Sequence, residues 1–347
     1  MIIALTLAIA ATAVTIIFPD IGTKAVIEAL VLVSTSVLPS MFCFMVLSRF
    51  IQKTNGARIL MPLIKPVARI LKLNEEELSC FVSGNLCGYP NGAISASEVI
   101  KKIPGEDYTL AAVSNNVSIG FTVALCGKIY LNSTLIGVII FISQLASAVM
   151  IGFILRRHRA NEITNHCFSV PNVSMCFCES IKESAYSSLV LSGFIVFFHV
   201  ISAYIKELMI LLDAPRLITV ITTSLLEISS GCKEAASLGD VSAVALISFL
   251  CGFSGLCVIF QSSVYLIPSG INIKKYILFK VFQGVCTASI TVPVYLLVGC
   301  VRYEYASSVS TANNITFQII DMALLIIFVV ITIISRLLKK RSSYISY

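Results

Sequence analysis

Long apolar runs separated by short basic connections organise this chain of 347 residues. A helix needs about 20 apolar residues to cross the hydrocarbon core of a bilayer. Windows near that length are Met1–Pro19, Ala29–Ser48, Thr109–Gly127, Ile129–Leu155, Ser184–Ile205, Val241–Asn272 and Val281–Val301. A shorter one, Met322–Ser335, extends back to near Phe317. The pattern predicts an all-α polytopic membrane protein of about eight spans.

Two further windows fit lipid poorly. Ser79–Ser97 carries no charge but is rich in Ser, Asn, Gly, Cys and Pro. Leu208–Leu226 is interrupted by Asp213, Pro215 and Arg216, and Glu227, Gly231 and Lys233 follow it. Irregular backbone at membrane depth survives only where protein buries it or where it lines a wet cavity. Both windows are therefore expected to form re-entrant or broken helices. The segment Ala57–Leu73 spaces Arg58, Lys65, Arg69 and Lys72 among apolar residues. It reads as an amphipathic helix lying in the interface.

Charge sets the expected orientation. Charged residues make up 12% of the chain, against about 25% in soluble domains. The net charge of +7 comes from basic residues in the short connections, the pattern that orients membrane proteins. With a cytoplasmic N-terminus most of the Lys and Arg fall on the cytoplasmic side, so both termini are expected there, in the cell membrane. Lys280 is read as lying near a helix end, where it snorkels. Met1–Pro19 has no basic residue before its apolar stretch and is read as a retained first span, with a cleaved signal peptide as the alternative. No basic stripe or stacking-aromatic motif points to nucleic acid.

An internal repeat is expected. Val46–Ile51 reads VLSRFI and Val190–Ile195 reads VLSGFI. Ser83-Gly84 and Ser230-Gly231 mark the two polar segments, Gly120-Phe121 and Gly252-Phe253 the following spans, and Gln144 and Gln283 the spans after those. The orientation makes the two units inverted, as in many transporters. The chain then divides into a first span (1–24), a first repeat (25–158), a cytoplasmic loop (159–180), an inverted second repeat (181–301), and a last span with a basic tail (302–347).

Candidate chemistry concentrates in the polar segments. In Cys80–Ile100, Gly84, Gly88, Pro90 and Gly92 break the helix and free backbone groups, and Ser83, Asn85 and Asn91 stand beside the break. A binding site and a tightly packed turn both remain open. Asn115 and Asn116 lie side by side in an apolar run. Adjacent residues are about 100° apart on a helix, so a break, a polar cavity or interhelical bonding is implied. Glu227 is an ionisable group at the second polar segment, with Lys233 as an expected partner; Ser230 and Gln261 complete the candidate set for a small solute. Gln144, Gln261 and Gln283 also read as interhelical glue. The loop holding His158, His166, Cys167, Cys176 and Cys178 lacks the spacing of a zinc site, and no metal or cofactor is expected. The twelve cysteines include no CxxC pair, and most sit in apolar stretches as small hydrophobes. HExxH, GxSxG and Walker A are all missing, so no enzyme activity is expected.

The run SGNLCGYPNGA, followed by Ser114-Asn115-Asn116, resembles the SGYPxGA…SNN pattern of YlbJ-type sporulation integral membrane proteins. LLEISSG at 225–231, GFSGLCVIFQ at 252–261 and KKY at 274–276 are similar to that family's second half. The resemblance covers about residues 25–300. This chain inserts Asn85-Leu86-Cys87 before Gly88-Tyr89-Pro90 and has Phe253-Ser254 where two small residues are expected. The resemblance implies the "Gate" or nucleoside-recognition domain, shared by likeness with concentrative nucleoside transporters and the FeoB ferrous-iron transporter, and a role in spore formation. Two functions compete: a transporter-like protein that moves or binds a small solute, and a non-transporting scaffold. The first expects Ser83, Asn85, Asn115, Asn116 and Glu227 in one cavity. The second expects them to pair with each other, with another membrane protein or a second copy as partner.

Overall fold

The computed structural model describes residues 12–54, 66–101, 108–155 and 172–308, and among these it contains helices and no strand. The compact unit ends at Tyr295, and the described part of the unit after it, 296–308, is helical. Most of Met1–Pro19, the larger part of Ala57–Leu73, the loop residues His158, His166 and Cys167, and all of Met322–Ser335 lie outside the described residues.

Four helical stretches are long and apolar enough to cross a membrane: Thr134–Ile154, Val173–Leu211, Val241–Ser269 and Ile273–Val298. A bent pair, Pro19–Val37 with Met41–Ile51, raises this to five. The chain is thus an all-α membrane protein. Burial ranks the spans: 72% of the apolar window in Val241–Ser269 is buried inside the protein, against 28% for Val173–Leu211 and 22% for Ile273–Val298. The first is therefore central. The other two turn apolar faces outward, as Leu189, Phe197 and Phe282 show, and such faces suit lipid.

Several expected spans are broken, each for a local reason. Window Ala29–Ser48 becomes α1 (Pro19–Leu32), a π-helical turn (Val33–Val37) and α2 (Leu38–Lys53), bent by 55°. Pro39 removes one N–H from the ladder. Thr35 Oγ1 bonds back to the Val31 carbonyl at 2.7 Å, and Ser34 Oγ does so at 3.2 Å, a habit that bends helices. Window Thr109–Gly127 becomes α5 (Tyr108–Ser114), an irregular stretch through Asn115–Ser118, and the π-helical α6 (Gly120–Tyr130).

The first polar segment is a helical hairpin. Its first arm is α3 (Glu75–Cys87), started by a capping box: Asn74 Oδ1 accepts from the Glu77 amide at 2.8 Å, and Glu77 Oε2 accepts from the Asn74 amide at 2.9 Å. It ends at Gly88, whose φ of 77° suits glycine. After the cis Tyr89-Pro90 bond comes α4 (Asn91–Lys101).

Next come α7 (Thr134–Leu155) and α8 (Val173–Leu211), which Asn172 caps through the Met175 amide at 3.2 Å. The helix therefore begins inside the stretch expected to be loop. Arg49 and Lys53 of α2 bind Glu183 and Glu179 there, which anchors those extra turns. The second hairpin pairs α9 (Arg216–Leu226) with α10 (Ile228–Ala235) around Glu227. Then α11 (Asp240–Phe253) and α12 (Gly255–Leu266) meet at Ser254, a left-handed residue with φ of 82°. The last helix is α13 (Ile273–Ser308).

Two apolar clusters form the interior. One holds Met45, Val117, Phe121, Ile140, Ile195 and Leu250. The other holds Phe81, Val113, Ile151, Phe253, Tyr276 and Phe279. Along α7 the chain passes from Ile140 to Ile151 through the buried polar residues Gln144 and Ser147. Between Val113 and Val117 stand Ser114, Asn115 and Asn116, all fully buried. A polar layer therefore lies between the two clusters along α7 and the α5–α6 break, while Leu225, Phe249 and Leu256 pack against both.

Glycines bring the first hairpin against that layer. A Cβ on Gly84 would meet the Ser114 carbonyl oxygen at 2.1 Å, and one on Gly92 would meet it at 2.3 Å and Asn115 Cα at 2.6 Å. Gly92→Ala is expected to lower stability in detergent by about 1–3 kcal/mol through overpacking. Gly193→Ala, where nothing lies within 4 Å in helix α8, should leave it unchanged or raise it by up to about 1 kcal/mol. Thermal melts of the two variants check this contrast.

Candidate functional site

The break at Asn115–Ser118 frees backbone carbonyls in a setting where lipid offers no donor. Side chains from other helices supply the donors. The Val113 carbonyl accepts from Asn85 Nδ2 at 3.1 Å and from Asn116 Nδ2 at 2.8 Å. Lys280 Nζ donates to the Asn115 carbonyl at 3.0 Å, and Gln144 Nε2 to the Val117 carbonyl at 3.0 Å.

Asn116 is the hub. Its Nδ2 also donates to Asn85 Oδ1 at 2.8 Å, and its Oδ1 accepts from Lys280 Nζ at 2.8 Å and Gln283 Nε2 at 2.7 Å. Both donors and both acceptor sites of the carboxamide are filled. Lys280 completes its three donors with Gln283 Oε1 at 2.8 Å. All three of its acceptors are neutral oxygens. Asn115 points the other way: its Oδ1 accepts from the Ala93 amide at 3.1 Å, and its Nδ2 donates to Ser262 Oγ at 2.7 Å and Tyr276 Oη at 2.8 Å. The two side chains diverge, one into the Asn85–Lys280–Gln283 knot and the other between α4, α12 and α13.

This corrects the expectation for Lys280. It does not snorkel from a helix end but is fully buried. The sequence carries the signal: Tyr276, Lys280, Gln283, Thr287 and Thr291 recur at intervals of four and three, one face of a helix, and all five are fully buried. Ser147 Oγ and Thr287 Oγ1 extend the layer at 2.7 Å.

Other expected site residues go elsewhere. Ser83 Oγ bonds to the Cys80 carbonyl of its own helix at 3.2 Å. Glu227 is fully buried and caps α10, accepting from the Ser229 amide at 2.8 Å, the Ser230 amide at 2.7 Å and Ser230 Oγ at 2.8 Å. These bonds occupy its carboxylate, and Lys233, its expected partner, is exposed. Gln261 is fully buried with neither amide atom hydrogen-bonded.

Next to Asn91, through Arg49, lies an open cavity of about 510 Å³, lined by Arg49, Ile94, Glu179, Glu183, Ser187 and Tyr265 with Lys182 and Tyr186. Arg49 is the residue that the sequence reading missed here. Its Nε donates to Asn91 Oδ1 at 3.0 Å, Nη1 to Glu183 Oε2 at 3.0 Å and Nη2 to Ser187 Oγ at 2.6 Å. Lys53 Nζ reaches Glu179 and Glu183 at 2.7 and 2.8 Å. The Asn91 amide nitrogen has no hydrogen-bond partner among oxygens or nitrogens and faces the Cys87 thiol. Gln261 lies one helical turn before Tyr265 on α12. The unpartnered amide of Gln261 thus belongs to α12, which also lines this cavity through Tyr265, as α4 does through Ile94.

One group of possible metal ligands occurs among the described residues, the thiols of Cys126, Cys232 and Cys251. None of the three belongs to the His/Cys loop weighed in the sequence.

Asn116→Leu is expected to cost about 3–5 kcal/mol, because it strips Lys280, Gln283 and Asn85 of a partner at once. Lys280→Met should cost about 1–3 kcal/mol. In the double variant the two losses should fall short of their sum by at least about 1 kcal/mol. Strict additivity in a denaturation cycle would show that the two side chains do not act as one network. No protein-family model, curated protein or solved structure matches this chain.

Proposed function

We propose that this chain is a transporter-like membrane protein of the Gate type that binds a small polar solute at the Arg49 cavity, in a spore-forming cell. The observation that carries the reading is the unpartnered buried amide of Gln261 on α12, a helix that lines an open cavity of about 510 Å³ through Tyr265. Ligand pockets run from about 300 to 1,000 Å³ and combine apolar walls with a few placed polar groups. An unpaired buried amide costs about 1–3 kcal/mol, a penalty that a hydrogen-bonding solute relieves. Tyr186 and Tyr265 offer flat aromatic surface, and Arg49, Lys182, Glu179 and Glu183 offer both signs of charge. That lining suits a planar, hydrogen-bonding organic solute better than a bare ion.

The proposed frame has eight spans, both termini in the cytoplasm, and two units inserted in opposite senses in the cell membrane. The order of elements supports it. A helix, a hairpin with a central break, a broken helix pair and a long helix occur as α2, α3/α4, α5/α6, α7, and again as α8, α9/α10, α11/α12, α13. VLSRFI and VLSGFI fall on α2 and α8, and Gln144 and Gln283 on α7 and α13.

A second reading, a scaffold without transport, is favoured by one fact: the Asn85–Asn116–Lys280–Gln283 knot is saturated by its own members. The two readings separate in a thermal-shift screen of the purified full chain against nucleosides, metal ions and small anions. A solute at about 100 times its Kd stabilises by about 2.7 kcal/mol. Gln261→Leu removes an idle amide, so it should keep or raise the stability of the free protein by up to about 3 kcal/mol while abolishing the solute-induced shift. No shift with any solute, or a shift that survives Gln261→Leu, would leave the scaffold reading standing.

A further inference from the structure

Three cysteines outside the polar layer and the cavity meet in the interior. Cys126 lies on the π-helical α6, Cys232 on α10 of the second hairpin and Cys251 on α11. Each is fully buried, and the three Sγ atoms all lie within 4.8 Å of one another. The thiols are one another's hydrogen-bond partners. Two groups from the helix breaks stand within electrostatic reach. Tyr89 comes from the first break, and its hydroxyl is buried without a partner. Glu227 comes from the second, its carboxylate already taken up by the start of α10.

We propose that Cys126, Cys232 and Cys251 form a trithiolate site for a thiophilic d10 metal ion, Cu(I) or Zn(II). Cysteine sulfur selects such ions over hard cations, which take oxygen ligands. With metal–sulfur bonds of about 2.3 Å, three sulfurs around one ion stand about 4.0 Å apart. Side chains that already hold their sulfurs within 4.8 Å of one another reach that spacing by small rotations. Each thiol that becomes a metal-bound thiolate releases one proton to solvent, and nothing is oxidised or reduced. The three ligands come from three helices, so a bound ion ties the second hairpin to α6 and α11. Cu(I) is served by the three sulfurs alone. Zn(II) prefers four ligands, so its arm calls for one further donor beside the three sulfurs.

The test uses the full chain purified in detergent with a non-thiol reductant, exposed in separate arms to Cu(I) held by a weak competitor and to Zn(II), then washed and assayed for metal. One equivalent should be retained in at least one arm. X-ray absorption at that metal's edge should show three sulfur neighbours, with one added oxygen or nitrogen in the zinc arm. Cys126→Ala, Cys232→Ala and Cys251→Ala should each lose the metal, whereas Cys43→Ala and Cys80→Ala keep it. The wild-type spectrum stands by itself if an alanine variant fails to fold. Retention of neither metal, a shell poor in sulfur, or an equivalent that survives all three alanine variants would overturn the site. So would a disulfide between any two of the three in protein kept reduced throughout.

Discussion

The hydrogen bonds that close the helix break at Asn115–Ser118 are the constraint on which the interior depends. A break at membrane depth exposes carbonyls that neither lipid nor a continued helix satisfies. Here Asn85, Lys280 and Gln144 come from three other helices to the carbonyls of residues 113, 115 and 117. The break therefore holds α3, α7 and α13 in fixed register about one stretch of backbone. Removing the break would strand those polar side chains, and removing them would strand the break. Gly84 and Gly92 follow from the same constraint, because only a hairpin without side chains at those positions comes close enough for Asn85 to reach Val113.

The two hairpins solve the broken-helix problem differently. In the second, Glu227 folds its carboxylate onto the amides of Ser229 and Ser230, so the N-terminus of α10 is satisfied locally and nothing is owed to a neighbour. In the first, α4 begins at Asn91, whose oxygen goes to Arg49 and whose nitrogen faces the Cys87 thiol. The segments VLSRFI and VLSGFI differ at one position, Arg49 in the first and Gly193 in the second. The arginine gives the first hairpin a cavity with fixed charge beside it. The matching glycine leaves open space on α8.

Much of the fold was legible because composition and periodicity report on lipid directly. The apolar windows located the long helices, a cluster of Gly, Pro and Asn located the first hairpin, and Pro215 with the charges Asp213, Arg216 and Glu227 marked the second. The windows misled where one or two residues outweighed hydropathy: Pro39 with its Ser/Thr neighbours in Ala29–Ser48, and Asn115-Asn116 in Thr109–Gly127. Charge reading failed for Lys280 because the nearest-end rule treats a lysine alone, whereas its environment is set by Gln283 on the same face and by a break 164 residues earlier. Arg49 escaped notice because it reads as a basic residue at a helix end; its three bonds run to α4 and α8, which no local pattern joins. Two of the three thiols, Cys126 and Cys251, sit in apolar runs and Cys232 in the second polar segment, far apart in sequence, so nothing local joins them.

The density of polar residues is a poor guide to where a solute binds. The knot around Asn116 holds the highest concentration of buried carboxamides, yet its hub offers nothing, since its donors and acceptors are spent on the helix break. Such a network resists change, because displacing any one bond leaves a buried group unpaired at a cost of about 1–3 kcal/mol. What the fold leaves over is a Gln261 amide with no partner, on a helix that also lines open space. Retaining a bare buried glutamine works against stability, and a hydrophobe of similar size would pack there without that penalty. Stability alone does not account for its presence one helical turn before the cavity-lining Tyr265.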